Sequence, residues 1–166
     1  MKDIIIIGAG IAGLAIAQRL SKYQLDLCVI DKEAECCFGV SKSNSGIIHT
    51  GFQSSPDSLK GKLAARGNQL YTQLARSLDF SLRRCGELVV AFAGQEDALH
   101  TLYQNGKLLD IPDMHPVDSA WIRQHEPRLN PEITAGLFGQ SAGVINPYEA
   151  AYALYEHAIS NGVRFH

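Results

Sequence analysis

The stretch Ile4 to Gly13 constrains this chain more than any other: an unbroken isoleucine run enters Gly8-Ala9-Gly10-Ile11-Ala12-Gly13. A continuous β-branched run over Asp3 to Ile7 that stops at glycine predicts a fully buried strand. The next residues predict a helix over Ile11 to Lys22, with Ile11, Leu14, Ala15 and Leu20 on one side. Leu25 to Ile30 predicts a second buried strand. Strand, helix and strand in this order form a βαβ unit with a right-handed crossover.

That context gives the G-x-G-x-x-G pattern its meaning. Gly8 permits the tight turn, Gly10 lets backbone approach a pyrophosphate, and Gly13 allows close packing of helix on strand. The first helical amides, at Ile11 and Ala12, carry the partial positive charge of the helix N-terminus. The second strand runs into Asp31, 18 residues after Gly13. A carboxylate there accepts hydrogen bonds from both adenosine ribose hydroxyls and repels a 2′-phosphate, which argues against NADP. The candidate cofactor contacts in this unit are Gly8, Gly10, Ile11, Ala12, Gly13, Asp31 and Lys32. The competing reading is a glycine turn that merely packs a helix, with Asp31 as a solvated strand end. The fingerprint leaves FAD and NAD open, since both contain ADP.

Composition bounds the remaining classes. A chain of 166 residues, 46% apolar and 19% charged, is long enough to bury a core. Its formal charge of −2 comes without a basic stripe, so no nucleic-acid partner is expected. Cys28, Cys36, Cys37 and Cys85 form no C-x-x-C pair. Cys28 falls in an apolar run and is expected as a buried thiol, and adjacent Cys36 and Cys37 suit a structural disulfide poorly. This usage fits a reducing cytoplasm. The Ile4–Ile7 run is too short for a signal peptide, and no run reaches the ~20 apolar residues of a membrane span. A peripheral membrane contact stays open.

Further along, Lys32 to Gln53 lacks periodicity and predicts a long functional loop with room for a short helical turn. Ser58 to Asp79 predicts a long helix capped by Asp57 or Ser58, with Leu59, Leu63, Leu70, Leu74 and Leu78 along one face. Ser81–Arg84 and Glu87–Phe92 predict short strands about a hairpin or sharp turn at Cys85-Gly86. A helix over Gln95 to Asn105 is expected to end near Gly106. Asp118 predicts an N-cap for a helix through Glu126, and Ile133–Phe138 a further strand. Asn146-Pro147 opens a helix to about Ser160, closed by Asn161-Gly162, after which Val163–His166 begins a strand. The fold class is therefore α/β. The meagre final strand raises the expectation that the chain is a fragment of a longer protein.

The segment Ser43-Asn44-Ser45-Gly46-Ile47-Ile48-His49-Thr50-Gly51 is small, polar and glycine-bearing. It suits close backbone approach to a flat ring and its sugar-alcohol chain, with hydroxyls and amides for hydrogen bonding. The run from Asn44 through Gly51, continued in Ser58-Leu59-Lys60 and Gly67-Asn68, resembles the FAD-dependent D-amino-acid-oxidase-like superfamily. Glu126-Pro127-Arg128-Leu129-Asn130-Pro131 and Ala142 to Glu149 resemble its glycerol-3-phosphate dehydrogenase-like branch, close to the L-2-hydroxyglutarate oxidases. The resemblance extends over essentially the whole chain.

It implies a Rossmann-type FAD-binding domain at 1–50 and 146–166, a connecting helix region at 51–79, and the start of a mixed-sheet α+β substrate domain at 80–145. It also implies oxidation of a C–H bond beside a hydroxyl or amine by hydride transfer to flavin. The expected substrate is a small anionic hydroxy compound such as glycerol 3-phosphate or L-2-hydroxyglutarate, with the electron acceptor open. Family members run to well over twice this length, so this stretch alone is expected to be inactive. Many of them carry Glu where Asp31 stands. An NAD-dependent dehydrogenase and a truncated nucleotide-binding fragment are the alternatives.

Within this frame His49 is the candidate catalytic group beside the flavin, with three roles open: orienting the isoalloxazine, taking the proton from a substrate hydroxyl, for which the near-neutral reference pKa of an imidazole is suited, or carrying a covalent flavin link as some histidines of the superfamily do. The bland alternative is a histidine satisfied by a backbone carbonyl. Ser43, Asn44, Ser45 and Gly46 are candidate flavin contacts, with turn formation as the alternative for Asn44 and Ser45. Lys60, Lys62 and Arg66 read as a solvated helix face. His100, His115, His125, His157 and His166 lack ligand spacing, so no metal is expected. Trp121 and Tyr148 read as packing anchors.

Overall fold

The computed structural model describes residues 2–166. The isoleucine run forms β1 (Ile4–Ile7), followed by α1 (Ile11–Leu20) and β2 (Leu27–Ile30). β2 is the central strand of a parallel sheet, pairing Ile4–Ile7 with Leu27–Ile30 on one side and Arg164–Phe165 (β9) on the other. The helix before β9 is α5 (Pro147–Ser160). Asn146 caps it, its Oδ1 accepting from the Tyr148 amide at 3.0 Å, and Pro147 supplies the preset first turn. Leu14 and Ala17 of α1 meet Val29, Leu154 and Ala158 in one buried cluster.

β1 is not fully buried. Ile6 belongs to the helix-facing core, whereas Ile5 and Ile7 are 54% and 89% exposed. Side chains alternate across a strand, and among the described residues only one face of this strand is covered. The helix face likewise turns slightly from expectation: Ala15 is exposed, while Ala17 and Gln18 are buried.

The chain divides into two units, one comprising Met1–Gly46, Gln73–Leu82 and Ile145–His166, the other Ile47–Thr72 and Arg83–Val144. In the second unit β7 (Ile133–Gly139) lies between β5 (Glu87–Phe92) and β6 (Met114–Asp118), antiparallel to both. Sequence periodicity does not reveal β6, because Pro116 interrupts it. Proline lacks the ladder donor and is tolerated here because β6 is an edge strand. α3 (Glu96–Leu108) and α4 (Ser119–His125) pack on this sheet. Asp118 caps α4, its Oδ1 accepting from the Trp121 amide at 2.8 Å. The Trp121 ring stacks on His125 and tilts against Phe138.

A small sheet joins β3 (Ile47–Ile48), β8 (Gly143–Ile145) and β4 (Leu82–Arg84). β4 and β5 therefore belong to different sheets and form no hairpin. Gly86, at φ +78°, makes the sharp turn that redirects the chain between them. Gly106 does not end α3 but lies buried inside it, where an added Cβ would collide with Met114 and approach Phe52 Cβ to 3.2 Å.

The long helix α2 (Leu59–Leu78) forms as predicted, with the Ser58 hydroxyl accepting from the Gly61 amide at 3.0 Å. Its leucine stripe is not its buried face in the first turns: Leu59, Leu63 and Leu70 are 71%, 59% and 46% exposed. The buried residues are instead Gly61, Ala65, Asn68 and Ala75, on the opposite side. Small side chains there permit a close approach, since an added Cβ on Gly51 would sit 2.9 Å from the Ala65 amide nitrogen. Leu74 and Leu78, further on, pack against the core of the first unit's sheet.

Candidate functional site

In the first unit the glycine loop sits at the carboxyl end of β1. Gly8 takes φ +103° while its amide donates to the Ile30 carbonyl at 2.8 Å, which ties the turn to β2. A Cβ on Gly13 would overlap the Gly8 carbonyl oxygen, so only glycine lets α1 cross the turn this closely. Gly10 caps α1 with no side-chain hydrogen bond, and a Cβ there would meet only the Ser41 hydroxyl at 3.2 Å. The first-turn amides have no carbonyl one turn back. One of them, Ile11 N–H, donates to Ser41 Oγ at 2.9 Å; Ala12 is exposed.

Asp31 closes the other side of the loop. Its Oδ2 accepts from the Ala9 amide at 2.5 Å and its Oδ1 from the Glu33 amide at 3.0 Å. These bonds, the Glu33 amide first and the Ala9 amide next, hold its carboxyl below the ordinary aspartate range against a smaller desolvation effect. The Cys37 amide donates to the Ala9 carbonyl at 2.9 Å. Burial, with help from Cys37, pushes the Cys36 thiol up to about 11. A cavity of about 130 Å³ opens beside the loop, lined by Ala9, Asp31, Glu33–Cys36, Tyr155, Phe165 and His166. It lies beyond the carboxyl ends of parallel strands, where nucleotide ligands of open α/β sheets bind.

The residues that follow are arranged differently. The Lys32 side chain is 88% exposed and meets Glu33 at 3.5 Å. Ser43, Asn44 and Ser45 are exposed and Gly46 is buried. Asn44 spends its side chain on the turn: Oδ1 accepts from the Gly46 amide at 2.9 Å, and Nδ2 donates to the Ser41 carbonyl at 2.9 Å. Gly46, at φ +67°, receives the Ile145 amide on its carbonyl at 2.9 Å, and an added Cβ would strike Ile145.

The second unit holds His49 in a network that the sequence does not announce. His49 Nδ1 lies 2.8 Å from Glu87 Oε2; the imidazole is 47% exposed and the Glu87 side chain 11%. Glu87 Oε1 accepts from the Thr50 amide at 2.9 Å and from the Thr50 hydroxyl, while Gln53 Nε2 reaches Oε2 at 3.3 Å. Buried Asn68 donates from Nδ2 to the His49 carbonyl at 2.8 Å and to the Ser141 carbonyl at 3.0 Å. The Arg84 guanidinium donates to Asn68 Oδ1 at 3.1 Å, to the Asn68 carbonyl at 2.7 Å, to Thr72 Oγ1 at 2.9 Å and to the Ser141 carbonyl. Glu87 had one readable signal: a lone acid at the head of the apolar strand Glu87–Phe92. Ser41 had none, since serines are common throughout that loop.

A parallel βαβ unit with a Cβ-free turn at the helix N-terminus, and a carboxylate tied to that turn, defines a Rossmann-type dinucleotide-binding protein. The chain belongs to the DAO family of FAD dependent oxidoreductases, whose model matches residues 3–166. It is 38% identical over 164 residues to a glycerol 3-phosphate dehydrogenase of Caloramator mitchellensis, covering 98% of this chain and 34% of that protein. It is 34% identical over 154 residues to the mitochondrial L-2-hydroxyglutarate dehydrogenase of Nematostella vectensis, covering 91% of this chain and 33% of that one. It superposes with a TM-score of 0.93 and 31% identity on the FAD-bound, dithionite-reduced L-α-glycerophosphate oxidase of Mycoplasma pneumoniae, covering 99% of this chain and 44% of that one. The chain thus spans between a third and a half of the length of these relatives. Family membership selects FAD over NAD as the cofactor class. No helix among the described residues is long and apolar enough to cross a membrane.

Proposed function

We propose that this chain forms part of an FAD-dependent oxidoreductase that oxidises the CH–OH group of a small anionic compound, glycerol 3-phosphate or a 2-hydroxy acid such as L-2-hydroxyglutarate. The carrying observation is the fit of the glycine loop to a diphosphate. Gly10 presents backbone without a Cβ at the N-terminus of α1; the first-turn amides at Ala12 and Gly13 supply donors, and that of Ile11, which donates to Ser41 Oγ here, adds to the positive potential and becomes a donor if the serine turns away. Gly8 sets the turn. Asp31 retains acceptor capacity for ribose hydroxyls, because each carboxylate oxygen offers two lone pairs and one on each is taken by an amide. The small polar segment Ser43–Gly46 is assigned to the flavin end and Lys32 to the turn beside the ribose.

When bound, flavin would supply the acceptor for the two electrons and the hydrogen of the substrate C–H bond. The protein's part is proton transfer and positioning. His49 Nε2 takes the proton as the substrate O–H bond breaks, leaving the electron pair on oxygen for the new carbonyl. Relatives named for glycerol 3-phosphate and for L-2-hydroxyglutarate support the substrate class. Four free thiols, Cys28, Cys36, Cys37 and Cys85, support assignment to a reducing, cytoplasmic compartment.

The test pairs a spectrum with a variant. The complete FAD-loaded enzyme of which this chain forms part is titrated without oxygen against glycerol 3-phosphate and against L-2-hydroxyglutarate, and one of them is expected to bleach the visible flavin band. Gly10→Val is expected to weaken FAD binding strongly while the apo-protein stays folded, since the added Cβ meets no backbone and only the Ser41 hydroxyl, at 3.2 Å, has to give way. Undiminished FAD affinity in Gly10→Val, or no bleaching by any small hydroxy anion, overturns the proposal.

A further inference from the structure

We infer that Glu87 is a positioning residue that fixes the tautomer of His49, placing the ring proton on Nδ1 and leaving Nε2 as the free base. The inference rests on the reading of His49 as proton acceptor, and adds the group that makes that reading workable.

A neutral imidazole carries one proton, and only the other nitrogen accepts. Which nitrogen is free depends on the partner of the first. Here Nδ1 faces Glu87 Oε2 at 2.8 Å. Glu87 is itself held on both sides. Oε1 receives the Thr50 amide at 2.9 Å and the Thr50 hydroxyl, and Oε2 receives the Gln53 amide nitrogen at 3.3 Å. A carboxyl group met by donors from every other side offers Nδ1 an acceptor, so Nδ1 carries the hydrogen.

The backbone holds this arrangement in place. Thr50 is 1% exposed and its amide, adjacent to His49 in the chain, is a donor that no rotation converts to an acceptor. The His49 carbonyl is pinned by Asn68 Nδ2 at 2.8 Å. The imidazole ring and its carboxylate thus hang from neighbouring backbone groups, while the half-exposed ring keeps its outer edge open.

Glu87→Gln makes the inference specific. A glutamine has one acceptor and one donor end. The Thr50 amide requires the acceptor end on its side. The NH₂ then lies where Oε2 was, facing His49 Nδ1, which must become the acceptor. The ring proton moves to Nε2, and the base is lost with its geometry nearly unchanged. Imposing the wrong tautomer on a catalytic histidine by an acid-to-amide change has cost up to about 10⁴-fold in kcat elsewhere.

Two measurements decide it. The first is the ring-nitrogen NMR spectrum of protein labelled with ¹⁵N-histidine, with the His49 signal assigned by its loss in His49→Asn. The wild type is expected to show the Nδ1–H tautomer and Glu87→Gln the Nε2–H tautomer. An Nε2–H wild type overturns the inference whether or not the variant folds. So does a Glu87→Gln protein that keeps the hydrogen on Nδ1. The second is turnover of the complete FAD-loaded enzyme, where Glu87→Gln is expected to lower kcat at least about 100-fold with KM changed less than about threefold. A drop under tenfold in Glu87→Gln alongside a large loss in His49→Asn sinks the role of Glu87 and leaves His49 as base. Full activity in His49→Asn sinks the base reading itself, while the tautomer spectrum still reports on the pair.

Discussion

The glycine loop of the first unit and the His49 network of the second are built by opposite means. The loop is almost wholly local. Gly8 through Gly13 supply the turn and the helix start, and the nearest strand end supplies Asp31, whose side chain reaches the Ala9 amide. What matters there is the absence of side chains. The His49 network is assembled from four distant stretches, at Gln53 and before, at Asn68–Thr72, at Arg84–Glu87 and at Ser141. What matters there is the donor and acceptor inventory of buried side chains. A site made mostly of backbone depends on its glycines and on the few side chains, Asp31 and Ser41, that meet its amides. A site made of converging side chains fails when one member changes from acceptor to donor.

The largest expected effect breaks the first half of that comparison. Gly13→Ala places a Cβ inside the Gly8 carbonyl oxygen, a clash with backbone that no rotamer relieves. Overpacking alone costs about 1–3 kcal/mol, and more where the obstacle cannot move. Gly13→Ala is expected to lose at least about 3 kcal/mol in urea unfolding, with FAD retention lost as well. A loss below about 1 kcal/mol would show that helix and turn separate freely, and the loop would then owe little to steric exclusion.

The second prediction breaks the other half. Asn68 is 6% exposed and serves the His49 and Ser141 carbonyls while accepting from Arg84. Asn68→Ala leaves the His49 carbonyl without this donor and one Arg84 N–H without its acceptor. The expected cost is about 2–3 kcal/mol, read as a fall in the unfolding midpoint. Asn68→Asp sharpens the point: it keeps the acceptor for Arg84 but removes both donors. A smaller loss in Asn68→Asp than in Asn68→Ala would mean that the Arg84 bond, rather than the pinning of His49, dominates.

The same contrast explains what the sequence made legible. The βαβ unit, the capping of α5 by Asn146 and of α4 by Asp118, and the long helix α2 all follow from signals a few residues apart. Three features did not. The exposed leucines of α2 reflect tertiary choice, because the Gly61, Ala65 and Asn68 face offers closer packing than the leucine face. β6 was hidden by Pro116, whose tolerance depends on an edge position known only once the sheet is ordered. Between the hairpin and the sharp turn that Cys85-Gly86 left open, the structure takes the sharp turn, a choice that turn chemistry at Gly86 does not make because it does not say which sheet each strand will join. His49 itself stood out by its setting among small polar residues. Its partner Glu87 lies 38 positions away, at a distance no local pattern encodes.

The smallest expected effect sharpens the comparison at the one charged side chain of the glycine loop. The amides of Glu33 and Ala9 favour the ionised form of Asp31, so its folded-state pKa lies below the ordinary value of 3.8. A group with a depressed folded pKa stabilises the protein fully above its unfolded value, and the contribution fades as pH falls through the folded value. Stability from Asp31 is therefore intact above pH 3.8 and declines only below it. Asp31→Asn removes this dependence and turns an amide N–H toward one of the two backbone donors. The gap in unfolding free energy between the wild type and Asp31→Asn is expected to be constant from neutral pH down to about 4 and to narrow in more acid solution. Because the side chain is largely solvated, the gap should be much smaller than the Gly13→Ala loss. A gap that widens on acidification would mean that Asp31 is destabilised as a carboxylate, and the loop would then depend on a charge it must be made to tolerate.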